Sequence, residues 1–424
     1  MKHVHFLRAG FFLVFFPVSI LMAQITPPSA AVSPFTKGNW WFNAGNNFWF
    51  DQDKVKSNDT DDGKENSYGL NQSLYYFPVD HFGIGINYQS SRDNENRNSY
   101  DRITSSNIVY LNGMYGTSVN DKLNLYGKLG VGFGGERSKY TAGTYSNDYQ
   151  YTDFGYNMAV GAPYPLCQES AFTFTPEAGW SYKQSKSDYS TEKTSGFYFQ
   201  SQFTASLPCD DYAHDCGEVD DYDDDWYDAG SNFVGGNTYF RFFTGQTTSE
   251  YSGGDMNTYE KNYNYFSLNA EYMRYVSHNL AVGAGFDTYL SATNDKQHST
   301  KQSQSSWMFT PKVQANLPVD GKWNNSYGYF GGGFGLSKTK SESSSSSSTS
   351  NYIHTDVNLG IGYNIFFARS FALSPYLGYD WNSSKEKSSN YKTSYHGFEG
   401  GFYIRHFFKA GETRQAQDKC PPNQ

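Results

Sequence analysis

Along most of this chain every second residue is large and apolar, and the residues between are glycine, asparagine or charged. Phe82-Gly-Ile-Gly-Ile-Asn-Tyr88 puts Phe82, Ile84, Ile86 and Tyr88 on one side of an extended backbone, and Gly83, Gly85 and Asn87 on the other. Val357-Asn-Leu-Gly-Ile-Gly-Tyr363 repeats the scheme, as does Leu125-Tyr-Gly-Lys-Leu-Gly-Val-Gly-Phe133. No 3.6-residue pattern competes with it. A two-residue period with bulk on one face and small or polar residues on the other suits a strand with lipid outside and a cramped polar interior. The mean hydropathy of −0.69 excludes a helical membrane protein, because each helical span needs about 20 apolar residues. A barrel tolerates it, since only alternate residues meet lipid.

The one long apolar run is N-terminal: a basic start over Met1 to Arg8, then Ala9 to Met22, then a small-residue cleavage point at Ala23-Gln24. Pro17 interrupts it, and it falls short of the roughly 18 residues of a membrane helix. Residues 1–23 read as a secretory signal peptide. No cysteine follows the cleavage point, so a lipoprotein anchor is not expected.

Connections alternate in character. Short turns occur at 79–81, 119–121, 277–279, 319–321 and 368–369, and longer polar stretches lie between them at 52–66, 91–100, 138–149, 184–193, 251–261, 291–302, 339–351 and 383–392. That asymmetry is the one between periplasmic turns and surface loops. The serine run Ser343 to Ser348 reads as a solvated loop tip.

The chain also repeats itself near 200 residues. Tyr126-Gly-Lys-Leu-Gly-Val-Gly-Phe-Gly134 aligns with Tyr327-Gly-Tyr-Phe-Gly-Gly-Gly-Phe-Gly335, and Phe172-Thr-Phe-Thr-Pro-Glu-Ala-Gly-Trp180 with Phe371-Ala-Leu-Ser-Pro-Tyr-Leu-Gly-Tyr379. Gly161 falls on Gly362, and Gly196-Phe197 on Gly397-Phe398. Matches in one order indicate a duplication, each copy with eight candidate strands. The expected organisation is a lead over 24–37, a first eight-strand unit over 38–208, an acidic periplasmic linker over 209–233, a second unit over 234–408 and a periplasmic tail over 409–424.

These motifs, with the aromatic closing strand Gly400-Gly-Phe-Tyr-Ile-Arg-His-Phe-Phe408, resemble the OmpA/OmpX-like outer-membrane β-barrel domains, in two tandem copies. The resemblance implies an all-β transmembrane barrel in the bacterial outer membrane, with termini and the 209–233 linker in the periplasm. It further implies outer-membrane lipid as surroundings, and recognition by the barrel-assembly machinery through the strand ending at Phe408. Lys409 to Gln424 follow where such chains often stop.

Sixteen strands could close as two tandem eight-stranded barrels or as one sixteen-stranded barrel. Inward positions rich in glycine (Gly130, Gly132, Gly283, Gly285, Gly331 and Gly360 among them) favour two narrow barrels. The absence of a loop much above 15 residues points the same way. Alternation places Arg241, Lys312 and Arg405 inside with Glu271, Asp380 and Glu399, a candidate charge network, since buried charges persist when paired.

Cys167, Cys209, Cys216 and Cys420 map to the expected periplasmic side, an oxidising compartment. A Cys167–Cys209 disulfide is the pairing expected from adjacent strand ends, with Cys209–Cys216 as the rival. Asp210 to Asp228 holds ten acidic residues and no Lys or Arg, and reads as a solvated linker rather than a Ca²⁺ loop, lacking the Gly and Glu placement of an EF-hand. A charge of −9 argues against nucleic acid. No phosphate loop, zinc motif or cofactor site is present, and the scattered histidines accompany no serine or carboxylate motif, so no enzyme is expected. The functional expectation is an integral outer-membrane protein with a structural or surface-interaction role and its polar loops outward. The alternative is a sixteen-stranded porin-like diffusion channel. The extracellular ligand is not readable from these residues.

Overall fold

The computed structural model describes residues 34–43, 48–57, 63–120, 123–165, 172–207, 224–235, 240–251, 258–317, 325–368, 371–389 and 391–409. Strands of the first half are β1 (Trp40–Asn43), β2 (Phe48–Ser57), β3 (Gly63–Val79), β4 (Phe82–Arg97), β5 (Asp101–Asn120), β6 (Leu123–Ala142), β7 (Tyr145–Gly161), β8 (Tyr164–Pro165), β9 (Phe172–Lys186) and β10 (Ser190–Leu207). The second half has β11 (Ser231–Gly235), β12 (Phe240–Tyr251), β13 (Thr258–Ser277), β14 (Leu280–Asp295), β15 (Thr300–Asn316), β16 (Ser326–Glu342), β17 (Ser347–Tyr363), β18 (Ile365–Ala368), β19 (Phe371–Glu386) and β20 (Lys392–Lys409). The pairs β1/β2, β7/β8, β11/β12 and β17/β18 are single strands broken once, which makes sixteen.

All pairings are antiparallel, and the sheet closes as one sixteen-stranded barrel: β10 pairs with β12 over Ser190–Ser201, and β20 closes on β2 over Thr393–Gly401. Two separate barrels, the closure favoured by the inward glycines, do not form. The glycines serve a different end. Gly132 and Gly360 lie under the rings of Tyr110 and Tyr329, and Gly130 and Gly331 under the side-chain amides of Asn112 and Asn358, in a circuit that is wide at one end and divided at the other.

The division is visible in the short strands. β1 pairs not with β20 but with β10, Trp40 opposite Leu207 and Asn43 opposite Thr204, while its other edge runs along β3. β11 pairs with β20, Ser231 opposite Lys409, and with β13. At the short-turn end each half therefore closes on itself as a narrow lobe, and towards the hairpin end the two merge. The lobes repeat one another bond for bond. Gly38 N–H donates to Phe77 O at 2.8 Å and Gly230 N–H to Tyr275 O at 2.8 Å; His81 N–H donates to Phe35 O at 2.7 Å and Asn279 N–H to Tyr227 O at 2.8 Å. Gly38 and Gly230 hold φ of 88° and 95°, a conformation that a side chain would strain. Residues 231–233, expected in the linker, begin β11 instead, preceded by a 3-10 turn at Asp224–Tyr227.

The exterior carries a continuous apolar belt. On β6 the outward residues Leu123, Leu125, Leu129, Val131 and Phe133 are all exposed, Leu129 to 67%. Leu123 to Phe133 spans about 34 Å of strand, or about 25 Å along the normal at a tilt near 40°, the height of a bilayer core facing a barrel. The inward side alternates small and polar residues with rings. Water could not cover such a surface economically, and lipid does.

Beyond the belt the strands continue. The polar stretches expected as loops are mostly ladder: β6 and β7 pair out to Ala142 and Tyr145, and β16 and β17 to Glu342 and Ser347. Of the serine run only Ser343–Ser346 is a turn, closed by the Ser346 N–H donating to Ser343 Oγ at 3.1 Å. Polar side chains do not stop a backbone that already has a paired neighbour.

Tyr126 stands opposite Gly161, and Tyr327 opposite Gly362, with the ring lying where a Cβ would be. Gly161→Val and Gly362→Val should each lower stability by about 1–3 kcal/mol through overpacking. The check is the urea concentration at which the folded, heat-modifiable gel band is lost.

Candidate functional site

Each lobe is filled by side chains from its own half. In the first, Phe35, Trp41, Tyr75, Phe77, Met114 and Tyr126 form a buried cluster, with Trp41 edge-on to Tyr126 at 5.2 Å between ring centroids. In the second, Tyr227, Phe233, Met273, Tyr275, Ala372 and Phe407 do the same, with Phe233 and Phe407 rings 5.2 Å apart. Phe35 precedes β1 and Tyr227 precedes β11, so in both halves the chain enters the lobe from the turn end and leaves an aromatic side chain inside it.

Above each cluster sits a buried ionic group. In the second lobe Lys312 Nζ lies 2.7 Å from Glu271 Oε2, and Arg405 Nη2 lies 3.6 Å from Glu271 Oε1. The Arg405 guanidinium lies 4.1 Å from the Tyr327 ring centroid and 4.7 Å from that of Phe233, and donates to Asn364 Oδ1 at 3.4 Å. Three of the six residues picked out by alternation thus come together. The others stand elsewhere on the inner wall. Arg241 lies over the Tyr265 ring at 5.4 Å, on the strand joining the halves. Glu399 is opposite Asp51 and Gly378, and with Asp380 it lies among Asp53 and Asp356.

The first lobe holds an ionic group that sequence reasoning missed. Glu177, 1% exposed, takes Lys128 Nζ at 2.6 Å, the Tyr126 hydroxyl at 2.5 Å, and Tyr198 and Gln200 at 3.0 Å each. Its signal was available: Lys128 occupies the glycine face of Lys128-Leu-Gly-Val-Gly132 and so points inward. Cys167 and Cys209, the candidate disulfide, lie outside the described residues, as do Cys216 and Cys420.

Towards the hairpin end the interior opens into a polar vestibule. A cavity of about 270 Å³ is bordered by Asn71, Gln89, Ser91, Ser106 and Lys183. On the inner face of β16 and β17, Ser337 Oγ lies 2.7 Å from His354 Nε2, without a carboxylate hydrogen-bonded to the ring among the described residues. At the tip of the β14–β15 hairpin, Asp295 accepts the backbone N–H of His298 and of Gln297 at 3.1 Å each, and the His298 ring Nδ1 at 3.0 Å. These bonds, the backbone one first, hold its carboxyl below the ordinary aspartate value.

A closed antiparallel barrel, lipid-facing outside and ionic within, is the class these features define. No protein-family model and no curated protein matches the chain. Among solved structures it is similar to the monoaromatic hydrocarbon channel CymD, at 10% identity over 88% of this chain and 89% of that one, TM-score 0.31. It is also similar to Ail, the attachment invasion locus protein of Yersinia pestis, at 19% identity over 41% of this chain and 100% of that one, TM-score 0.26. The outer membrane protein opdK of Pseudomonas aeruginosa matches at 10% identity over 88% and 100%, TM-score 0.26.

Glu271→Ala leaves Lys312 and Arg405 buried without their carboxylate, whereas Arg405→Ala leaves the Lys312–Glu271 pair intact. The first should cost about 3–5 kcal/mol and the second less, read from the same gel transition. Equal, negligible shifts would mean that these groups are hydrated. At the β14–β15 tip, a depressed carboxyl contributes order that is complete above the ordinary aspartate value and lost as pH falls through the depressed one. Asp295→Ala should reproduce the acid effect at neutral pH, seen as faster tryptic cleavage after Lys296.

Proposed function

We propose that this chain is an integral outer-membrane protein acting at the cell surface, with a polar vestibule opening outward and two packed lobes closing the periplasmic side. The observation that carries the reading is the separate closure of each half at its turn end around a buried aromatic cluster and a paired ionic group. A passage through either lobe would need Glu177 or Glu271 to give up its partners, at several kcal/mol. The basic, apolar start of the chain supports export. Short turns at the lobes and long hairpins at the vestibule support lobes towards the periplasm, and with them the chain termini and the acidic 209–233 segment. The aromatic end of β20 at Phe407 and Phe408 supports delivery by the barrel-assembly machinery.

A second reading, a porin-like diffusion channel, draws on a different observation: above the lobes the sixteen strands form one continuous circuit with a polar lining. Single-channel recording of the full chain in a planar bilayer separates the two. The closed form should give no steady steps, and Phe35→Ala with Trp41→Ala, which thins the first lobe, should give brief ones. A wild-type conductance that is steady and proportional to salt would sink the closed form and establish the channel.

A further inference from the structure

On β2, β3, β4 and β19 the outward face changes character in one order, and β20 runs beside them. An aromatic residue at the rim of the belt is followed, about four positions towards the hairpin end, by a cation: Phe50 by Lys54, Tyr68 by Lys64, Tyr88 by Arg92, Trp381 by Lys385. Lys56 and Lys392 complete the patch, and all six cations are exposed. Four residues of tilted strand rise about 10 Å, which sets the charges level with lipid headgroups, within reach of long flexible stems.

The register makes the patch costly on its own. Lys54 is directly opposite Lys64, and on its other side opposite His396; Lys385 is directly opposite Lys392. Like charges facing each other across a ladder destabilise it. Elsewhere on the same outer face some cations do have acidic partners: Arg137 meets Asp148 at 2.6 Å, and Lys193 meets Glu250 at 2.9 Å. None of the six has one among the described residues, and no carboxylate faces outward on these five strands. Their carboxylates, Asp51, Asp53, Glu65, Asp93, Glu95, Asp380, Glu386 and Glu399, all face inward by alternation. In a chain of net charge −9, one wall is thus polarised, with cations towards lipid and anions towards the vestibule.

We infer that this outward patch is a docking surface for the phosphate groups of anionic lipid in the leaflet at the hairpin end. Clustered Lys and Arg at headgroup depth attract anionic lipid, and phosphate between facing lysines replaces repulsion with charge-assisted hydrogen bonds. The inference rests on the membrane placement of the barrel and not on whether its lobes are closed. Trp381, 58% exposed just below Lys385, reports on the patch as the part of the quenching that is lost in Trp381→Phe, a difference that removes the contribution of the seven other tryptophans.

The test uses the full chain, folded in vesicles as judged by heat-modifiable migration, with brominated phosphatidylglycerol or brominated phosphatidylcholine as tryptophan quencher. Wild type should prefer the anionic lipid by about fivefold at low salt, with the preference shrinking as salt rises. Lys54→Gln, Lys64→Gln, Lys385→Gln and Lys392→Gln combined should remove the preference while quenching by phosphatidylcholine stays unchanged. Equal quenching by both lipids in wild type would overturn the inference, as would a preference that survives the fourfold variant. Abolition of the preference by soluble glycerol phosphate at millimolar concentration would also overturn it, because the patch would then be a site for dissolved anions.

Discussion

Everything in this barrel depends on the demand that no backbone N–H or C=O be left bare in lipid. An open sheet of this length would have two edges, each a row of unsatisfied groups at several kcal/mol apiece in hydrocarbon. Closure is therefore imposed before any side chain is considered. What side chains decide is which edge meets which. The first strand of each half is broken once, and its two pieces answer differently: the short piece turns to its own half, the long piece to the other. Every strand edge along these runs still finds a partner, so the demand is met by a divided circuit as fully as by a simple one.

The interior follows from the division. A lobe of eight strands is just wide enough to be filled by its own side chains, and here the filling comes in two tiers. Rings pack at the turn end, and a carboxylate holding a lysine lies above them. Burial of Glu177 or Glu271 is tolerable because each is matched by a cation and by hydroxyl, amide or ring contacts, which leaves few lone pairs or protons idle. Where the halves merge, the same perimeter encloses more room than side chains can fill, and the lining becomes polar.

Strand identity and facing were legible in the sequence, since alternation is local and survives any closure. Phe82, Ile84 and Ile86 face outward, as their spacing requires. Three things were not legible. Strand ends were set too short because Ser, Asn and Lys suggest loops, although their backbones pair as readily as any once a neighbour is fixed. The choice of closure was hidden because glycines under Tyr126 and Tyr327 are needed in a narrow lobe whether or not the circuit continues above it. The grouping of charges was half hidden. Alternation tells which side a residue faces but not its height, and height decides that Lys312 reaches Glu271 while Asp380 and Glu399 keep company with other acids. The Lys128–Glu177 pair could have been found by the same reasoning applied to the first half.

The divided end has a consequence for the bilayer itself. A fixed perimeter drawn as one circle encloses about twice the area it encloses as two equal circles, so the molecule's footprint shrinks from the vestibule towards the lobes. The outline there is a figure of eight, with a waist on either side into which acyl chains must fit. One leaflet thus accommodates a broad round inclusion, and the other a narrower, notched one. Such a shape favours membrane that curves around the wide end, and it gives the barrel a mechanical preference for where it sits, independent of anything it binds.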